Sequence, residues 1–386
     1  MIPYGRQSIS QSDIDAVVDV LRSDWLTQGP AVPRFEAVVA EYVGVPHAFA
    51  VSNGTAALHL ACLALELGPG DLLWTSPITF VASANCGLYC GADVDFVDID
   101  PATYNISAAA LEAKLIEAET AGKLPKVLVA VHMTGQPCEM ERIAELARRY
   151  GFAVIEDAAH AIGGSYKGTK IGSCTYSDLT TFSFHPVKVI TTGEGGMITT
   201  RRAALAERVE LLRTHGITRE PSLMEGPSEG PWYYQQVALG FNYRMTDLQA
   251  ALGASQMDRI DEFVGRRAAL AARYDEAFAG LPLTTPFQHP DGESGWHLYV
   301  VRVSPEAPVD RATFFARLQA AGIGVNVHYI PVHLQPYYKH LGFVGGSFPG
   351  AEQYYAEAVT LPLFPGLSDV DQDTVIITVR QAIGRP

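Results

Sequence analysis

One lysine stands where an ammonium is out of place. In SFHPVKVITTGEGG, residues 183–196, Lys188 lies between Val187 and Val189, and a glycine-dense turn follows. The chain has seven lysines. The other six, Lys114, Lys123, Lys126, Lys167, Lys170 and Lys339, stand beside polar, Gly or Pro residues typical of surfaces and turns. Burying a free ammonium costs on the order of several kcal/mol unless it is paired or neutralised. A desolvated lysine has the lowered pKa that imine formation needs, and a covalent imine removes most of that cost. Taken alone, the segment also fits an amphipathic lysine that snorkels its head to water.

Further stretches carry groups that could work beside such an amine. SNGTAALHLAC (52–62) sets Ser52, Asn53, Gly54 and Thr55 ahead of an Ala/Leu helix. A helix start of this kind offers free N–H groups and a favourable dipole to a phosphate. It is equally the pattern of a plain helix cap. VIEDAAHA (154–161) puts Glu156 and Asp157 at the end of an apolar run, with His160 three residues on. A carboxylate there can keep a pyridine-type ring nitrogen protonated, and the histidine can pack against the ring. An Asp capping the next helix and a satisfied core histidine fit as well. SPITFVASAN (76–85) places Phe80 near another strand end, either as a stacking face for a flat cofactor or as ordinary core.

Jointly, a buried amine, a strand-end aspartate, a phosphate-ready helix start and a stackable aromatic are the requirements of one cofactor, pyridoxal 5′-phosphate. Other chemistries lack their residues. No GxGxxG occurs, no GxSxG elbow is present, and GGSYKGTK (163–170) has Thr before Lys, the wrong order for a P-loop. The eleven histidines show no HExxH or HxH pairing, so no metal site is expected. Cys62, Cys86, Cys90, Cys138 and Cys174 are scattered, with no CxxC pair, as expected for reduced thiols rather than a disulfide frame or zinc site.

The elements that must position these groups alternate between strands and helices. DLLWTSP (71–77), VDFVDI (94–99), KVLVAVHM (126–133), FAVIED (152–157) and TTFSFH (180–185) read as buried strands. RFEAVVAEYV (34–43) and MERIAELARRY (140–150) have helical spacing. This alternation predicts a mostly parallel α/β sheet, with ligands at the carboxyl ends of its strands. Residues 217–239 read as a long loop, and 246–281 as one long helix or two joined near Gly265. WHLYVVRV (296–303) reads as a strand and DRATFFARLQAAG (310–322) as a helix.

The totals bound the class. At 386 residues, with 48% apolar and 18% charged, the chain predicts two well-packed domains. A net charge of −14 and the lack of any Lys/Arg run speak against nucleic acid as a partner. MIPYGRQSIS at the start lacks a secretory h-region, and no apolar run approaches the ~20 residues of a membrane helix. The expectation is a cytoplasmic chain with no membrane partner.

Across nearly its whole length the sequence resembles the pyridoxal-phosphate-dependent nucleotide-sugar aminotransferases of fold type I, the DegT-like family. The resemblance runs through YGRQSI (4–9), DWLTQGPAVPRFE (24–36), SNGTAAL, SPITFVASAN, EDAAHAIG and SFHPVKVITTGEGG to GFNYRMTDLQAA (240–251) and VHYIPVHLQPYY (327–338). It implies a large α/β domain over 1–250, with a mostly parallel sheet flanked by helices, and a smaller C-terminal α+β domain over 251–386. It implies that Lys188 forms the imine, that Asp157 pairs with the pyridine nitrogen, and that His160 lies near the phenolic oxygen. Phe80 would stack on the ring, and Gly54, Thr55 and Ser183 would hold the phosphate. Asn242 would reach the phosphate of the neighbouring subunit's cofactor, which implies a homodimer with shared active sites. Thr27, His185, His328 and Tyr329 would lie on the side of the sugar nucleotide. Sugar 3-dehydratase relatives have histidine at the lysine position, so Lys188 favours transamination.

The form SFHPVK…ITTGEGG is most similar to the branch leading to pseudaminic acid. That implies transfer of an amino group from L-glutamate to C4 of a UDP-4-keto-6-deoxy-N-acetylhexosamine, with the cofactor passing through its amine form, PMP. A sugar aminotransferase acting on a 3-keto sugar, a dTDP-sugar or a cyclitol is the alternative, followed by a cofactor-bound regulatory protein. Arg213, Arg219 and Arg244 stand as open candidates for the glutamate α-carboxylate.

Overall fold

A computed structural model describes residues 1–384; positions 385–386, the end of the expected second domain, lie outside the described residues. Seven strands make the main sheet: β1 (His47–Val51), β2 (Leu72–Thr75), β3 (Asp93–Phe96), β4 (Val127–Val131), β5 (Ala153–Asp157), β6 (Leu179–Ser183) and β7 (Gly196–Thr200). Their spatial order is β1-β7-β6-β5-β4-β2-β3. From β6 to β3 every neighbouring pair is parallel, and β7 runs antiparallel to both β6 and β1.

Such a sheet needs cover on both faces, and its strands read accordingly as continuous apolar runs. Trp74, Leu128, Ala130 and Val154 pack into one cluster, while Leu73, Val127, Val129 and Ile155 pack into the other. Helix α1 (Gln11–Arg22) and α2 (Ala31–Val43) open the chain, followed by α3 (Gly54–Ala64), α4 (Ala82–Tyr89), α5 (Ala108–Ala121) and α6 (Met140–Tyr150). The residues of α3 and α4 pack with Leu73, Val129 and Ile155, so both helices cover the same sheet face.

The strands predicted from sequence are present, with shorter bounds. The sequence reading places no strand at β1 or β7. HAFAV sits hard against a helix start, and GMITT is masked by the glycine-dense turn before it. Helix α7 takes Ala203–Arg213, and the predicted helix over 246–281 is two helices, α8 (Asp247–Met257) and α9 (Ile260–Phe278). The break falls at Asp258 and Arg259, not near Gly265. Arg259 turns out of helical geometry and pairs with the fully buried Asp13 of α1 at 2.6 Å. Gly265 lies inside α9, in open space. The loop at 217–239 contains one short antiparallel pair, Ile217–Thr218 with Gln235–Gln236.

Beyond α9, a second antiparallel sheet joins β8 (Leu283–Thr284), β9 (Tyr299–Val303) and β10 (Ala358–Leu361). Tyr299, Val301, Val359 and Leu361 share a third apolar cluster with Leu270 and Tyr274 of α9. Among the described residues no helix is long and apolar enough to cross a membrane.

Candidate active site

The carboxyl ends of β5 and β6 and the start of α3 border a cavity of about 730 Å³. Lys188, Asp157, His160, Phe80, Ser183 and Tyr329 are among the residues that line it. The chain leaves β6 in a turn, where the Lys188 N–H donates to the His185 carbonyl at 2.9 Å. Val189 and Ile190 are buried beneath, but Lys188 itself is half-buried. Val189 and Ile190 therefore anchor the turn, while Val187 and the Lys188 amine belong to the cavity wall rather than to sealed core. The packed walls desolvate its ammonium and push its pKa down to about 8, against the opposing pull of the Asp157 carboxylate.

Strand alternation separates the two acids at the end of β5. Glu156 turns to the far face, where His132, Ser177 and Thr180 hold its carboxylate. Asp157 turns into the cavity. Its Oδ2 accepts from Ser83 Oγ at 2.6 Å, and its Oδ1 accepts from the Ala159 N–H at 3.1 Å. Asp157 is 6% exposed, so these bonds fix a nearly dry carboxylate. Ser83, on α4, received no role from the sequence. Only its helical offset from Phe80 within SPITFVASAN could have signalled it.

At the start of α3 the Asn53 side chain takes the Ala56 N–H at 2.8 Å. The amides of Gly54 and Thr55 come before the first intrahelical bonds and are available to an anion. Glycine is required here: a Cβ at Gly54 would stand 2.9 Å from the Ser183 Cβ. Gly196 makes a similar approach, because a Cβ there would meet the Asn53 carbonyl oxygen at 2.5 Å.

Three histidines cluster beside Lys188. His160 Nε2 is 3.2 Å from the Tyr329 hydroxyl, and its Nδ1 has no partner. Burial, with the nearby charge of Lys188, holds His160 well below the ordinary histidine pKa. His328 is bound at both ring nitrogens, to Thr360 at 2.8 Å and to Asn326 at 3.3 Å. Its expected role toward substrate is thus limited to ring contact. His297 lies with its ring 4.4 Å from that of His160 and was not singled out from sequence. WHLY reads as strand, yet Trp296 and His297 precede β9 and turn inward. Phe80 is 58% exposed at the mouth, 6.2 Å from the Tyr329 ring, and His185 is exposed at the rim.

Thr27 and Asn242 do not join the cavity of their own chain. Both are exposed; Thr27 bridges Thr246 and Asn242 bridges Thr214. The three candidate arginines are also elsewhere. Arg213 is bound to Glu36, Glu210 and the Ala50 carbonyl. Arg219 is exposed, and Arg244 follows the cavity-lining Tyr243 in extended pairing with Val51, so its side chain leaves on the opposite side. Among the described residues no arginine lines the cavity.

These groups fit pyridoxal phosphate. The Gly54 cradle, which a Cβ would fill, suits a phosphate; Asp157 suits a protonated ring nitrogen; the depressed Lys188 amine suits an aldehyde. A seven-stranded sheet with one reversed strand and this site at its carboxyl edge define a fold type I pyridoxal-phosphate enzyme. The sequence profile of the DegT/DnrJ/EryC1/StrS aminotransferase family matches residues 7–380, and the chain belongs to that family of pyridoxal-phosphate-dependent aminotransferases. It is 43% identical over 386 residues to the spore coat polysaccharide biosynthesis protein SpsC of Bacillus subtilis, covering 99% of this chain and 97% of that one. It is 39% identical to the GDP-perosamine synthase of Caulobacter vibrioides, with coverage of 96% and 95%. It is 38% identical to the UDP-4-amino-4,6-dideoxy-N-acetyl-beta-L-altrosamine transaminase of Campylobacter jejuni, with coverage of 94% and 92%. The Streptococcus pneumoniae protein Spr1654, solved in its PMP form, superposes with a TM-score of 0.91 at 33% identity, covering 99% of each chain. Helicobacter pylori PseC, an aminotransferase in pseudaminic acid biosynthesis, gives 0.89 at 29% identity, again with 99% of each chain covered.

Proposed function

We propose that this chain, as a cytoplasmic homodimer, transfers the amino group of L-glutamate to C4 of a UDP-4-keto-6-deoxy-N-acetylhexosamine. The observation that carries this reading is the placement of the Lys188 amine in one cavity with Asp157 and the α3 start. The sugar assignment is supported by the 38% identity to the altrosamine transaminase and by the likeness to PseC. The bound cofactor would supply an electron sink for the substrate carbon. Gly54, Thr55 and Ser183 bind its phosphate. Asp157 holds a proton at the ring nitrogen, and Ser83 keeps that carboxylate oriented. Phe80 covers the ring face. Lys188 would move the proton at the substrate carbon as general base and then general acid, and its pKa of about 8 gives it a larger share of free amine near neutral pH than an ordinary lysine has. Asn242 completes the neighbouring subunit's phosphate site, Thr27 reaches the neighbouring subunit's sugar nucleotide, and His185, His328 and Tyr329 border the sugar nucleotide in their own cavity.

A GDP-linked 4-keto sugar is the second reading, favoured by the 39% identity to GDP-perosamine synthase. Parallel assays with UDP-, GDP- and dTDP-linked keto sugars and a keto-cyclitol decide between them. The reading predicts the highest kcat/KM for the UDP-linked acetamido sugar. A preference of tenfold or more for another substrate would overturn it.

A further inference from the structure

The cavity has to hold an amino donor that carries carboxylates, yet among the described residues no arginine lines it. We propose that His297 binds the carboxylate of the amino donor through its Nε2–H. The inference rests on the reading of L-glutamate as donor.

His297 is 4% exposed and lines the cavity. Its Nδ1 is sealed away without a partner. An orphaned buried lone pair is less costly than an orphaned buried N–H, so the proton sits on Nε2, at the cavity-facing edge of the ring. Burial, together with His160, Lys188, Arg267 and His328, keeps this imidazole neutral, so it is a fixed donor rather than a charge. His160 and His328 cannot serve in the same way: His160 Nε2 is committed to Tyr329, and both nitrogens of His328 are bound.

Arg267 points to an anion on this side of the cavity. It is 1% exposed and has no carboxylate within ion-pair distance among the described residues. Its guanidinium is held by the carbonyls of Trp296, His297 and Leu363, at 3.3, 3.2 and 2.8 Å. A buried cation without a counter-charge is expensive, and an anion bound one residue away supplies part of the missing compensation. The same carbonyl bonds hold His297 in place from behind. In front, the Leu298 N–H donates to the Thr134 carbonyl at 3.1 Å, and the Gly295 N–H donates to the Gly135 carbonyl at 2.9 Å. The turn that presents the imidazole is thus clamped on both sides.

The test is calorimetric titration of glutarate, a dicarboxylate that cannot donate an amino group, into the cofactor-loaded dimer. His297→Phe replaces the imidazole by a slightly larger ring without nitrogens, and melting curves of the variants check that the fold is kept. Glutarate binding should weaken by about ten- to a hundredfold, the range for a lost hydrogen bond to a charged group. His297→Gln, whose amide nitrogen reaches the position of Nε2, should recover part of the loss. Equal affinity in wild type and His297→Phe would overturn the proposal, and would mean that the partner subunit holds the carboxylate. No glutarate binding to wild type would overturn the donor reading and the proposal with it. Failure of the sugar assignment would appear only in the keto-sugar assays.

Discussion

Ser83 Oγ stands 2.6 Å from Asp157 Oδ2, so helix α4 grips the acid that β5 delivers. A carboxylate that must hold a proton on a ring nitrogen needs one orientation, and this bond supplies it. Asp157→Asn should lose most turnover with the fold retained, because an amide cannot keep the ring nitrogen protonated. Ser83→Ala should lower kcat by about tenfold, the lower end for a hydrogen bond to a charged group. Steady-state kinetics with melting curves checks both, and near-native turnover in Asp157→Asn would remove that residue from its role.

Gly54 and Ser183 meet closely enough to exclude any side chain at residue 54. Alanine there should push α3 away from β6 and weaken cofactor binding by at least about tenfold, since phosphate sites depend on backbone N–H placement. Absorbance titration of the cofactor-free protein measures it. An unchanged dissociation constant would mean the phosphate sits elsewhere.

Lys188 should betray its low pKa chemically. In cofactor-free protein its acylation rate should reach half-maximum near pH 8, while an ordinary lysine amine titrates near 10.5. The sign for stability follows. Below about pH 8 the amine is protonated in both states, and the folded state bears the full desolvation cost. Between about 8 and 10.5 the unfolded chain binds more protons, so this group's contribution to stability improves as pH rises through that window. Mass spectrometry of the 188-containing peptide across pH reads the first effect. A half-maximum near pH 10.5 would contradict the cavity-wall placement.

Gly265→Ala tests the placement of the helix break. Gly265 is exposed within α9 with nothing near its would-be Cβ, so alanine should stabilise by roughly 0.5–1 kcal/mol. Destabilisation would favour a break at the glycine.

Much of this was readable from sequence because a site at strand ends concentrates its residues in short stretches. Lys188 stands out by its apolar neighbours, Asp157 and Phe80 by their places at strand ends, His160 by its offset from Asp157 and Gly54 by its helix start, and all five line one cavity. What failed depended on partners distant in the chain. The break before α9 is set by Asp13, some 246 residues away from its arginine. Ser83 matters only because β5 brings Asp157 to it, 74 residues on. His297 looked like one more strand residue, because Arg267 and Gly135 define its turn and neither is adjacent in sequence. Thr27 and Asn242 stay outside their own cavity, and their expected roles depend on a second subunit.

Borohydride reduction followed by peptide mapping is the most direct test that Lys188 carries the chemistry. The cofactor-loaded protein should lose its yellow absorbance on reduction, with the pyridoxyl label on the peptide containing Lys188 and on no other. Label on any of the other six lysines, or no label at all, would contradict the account.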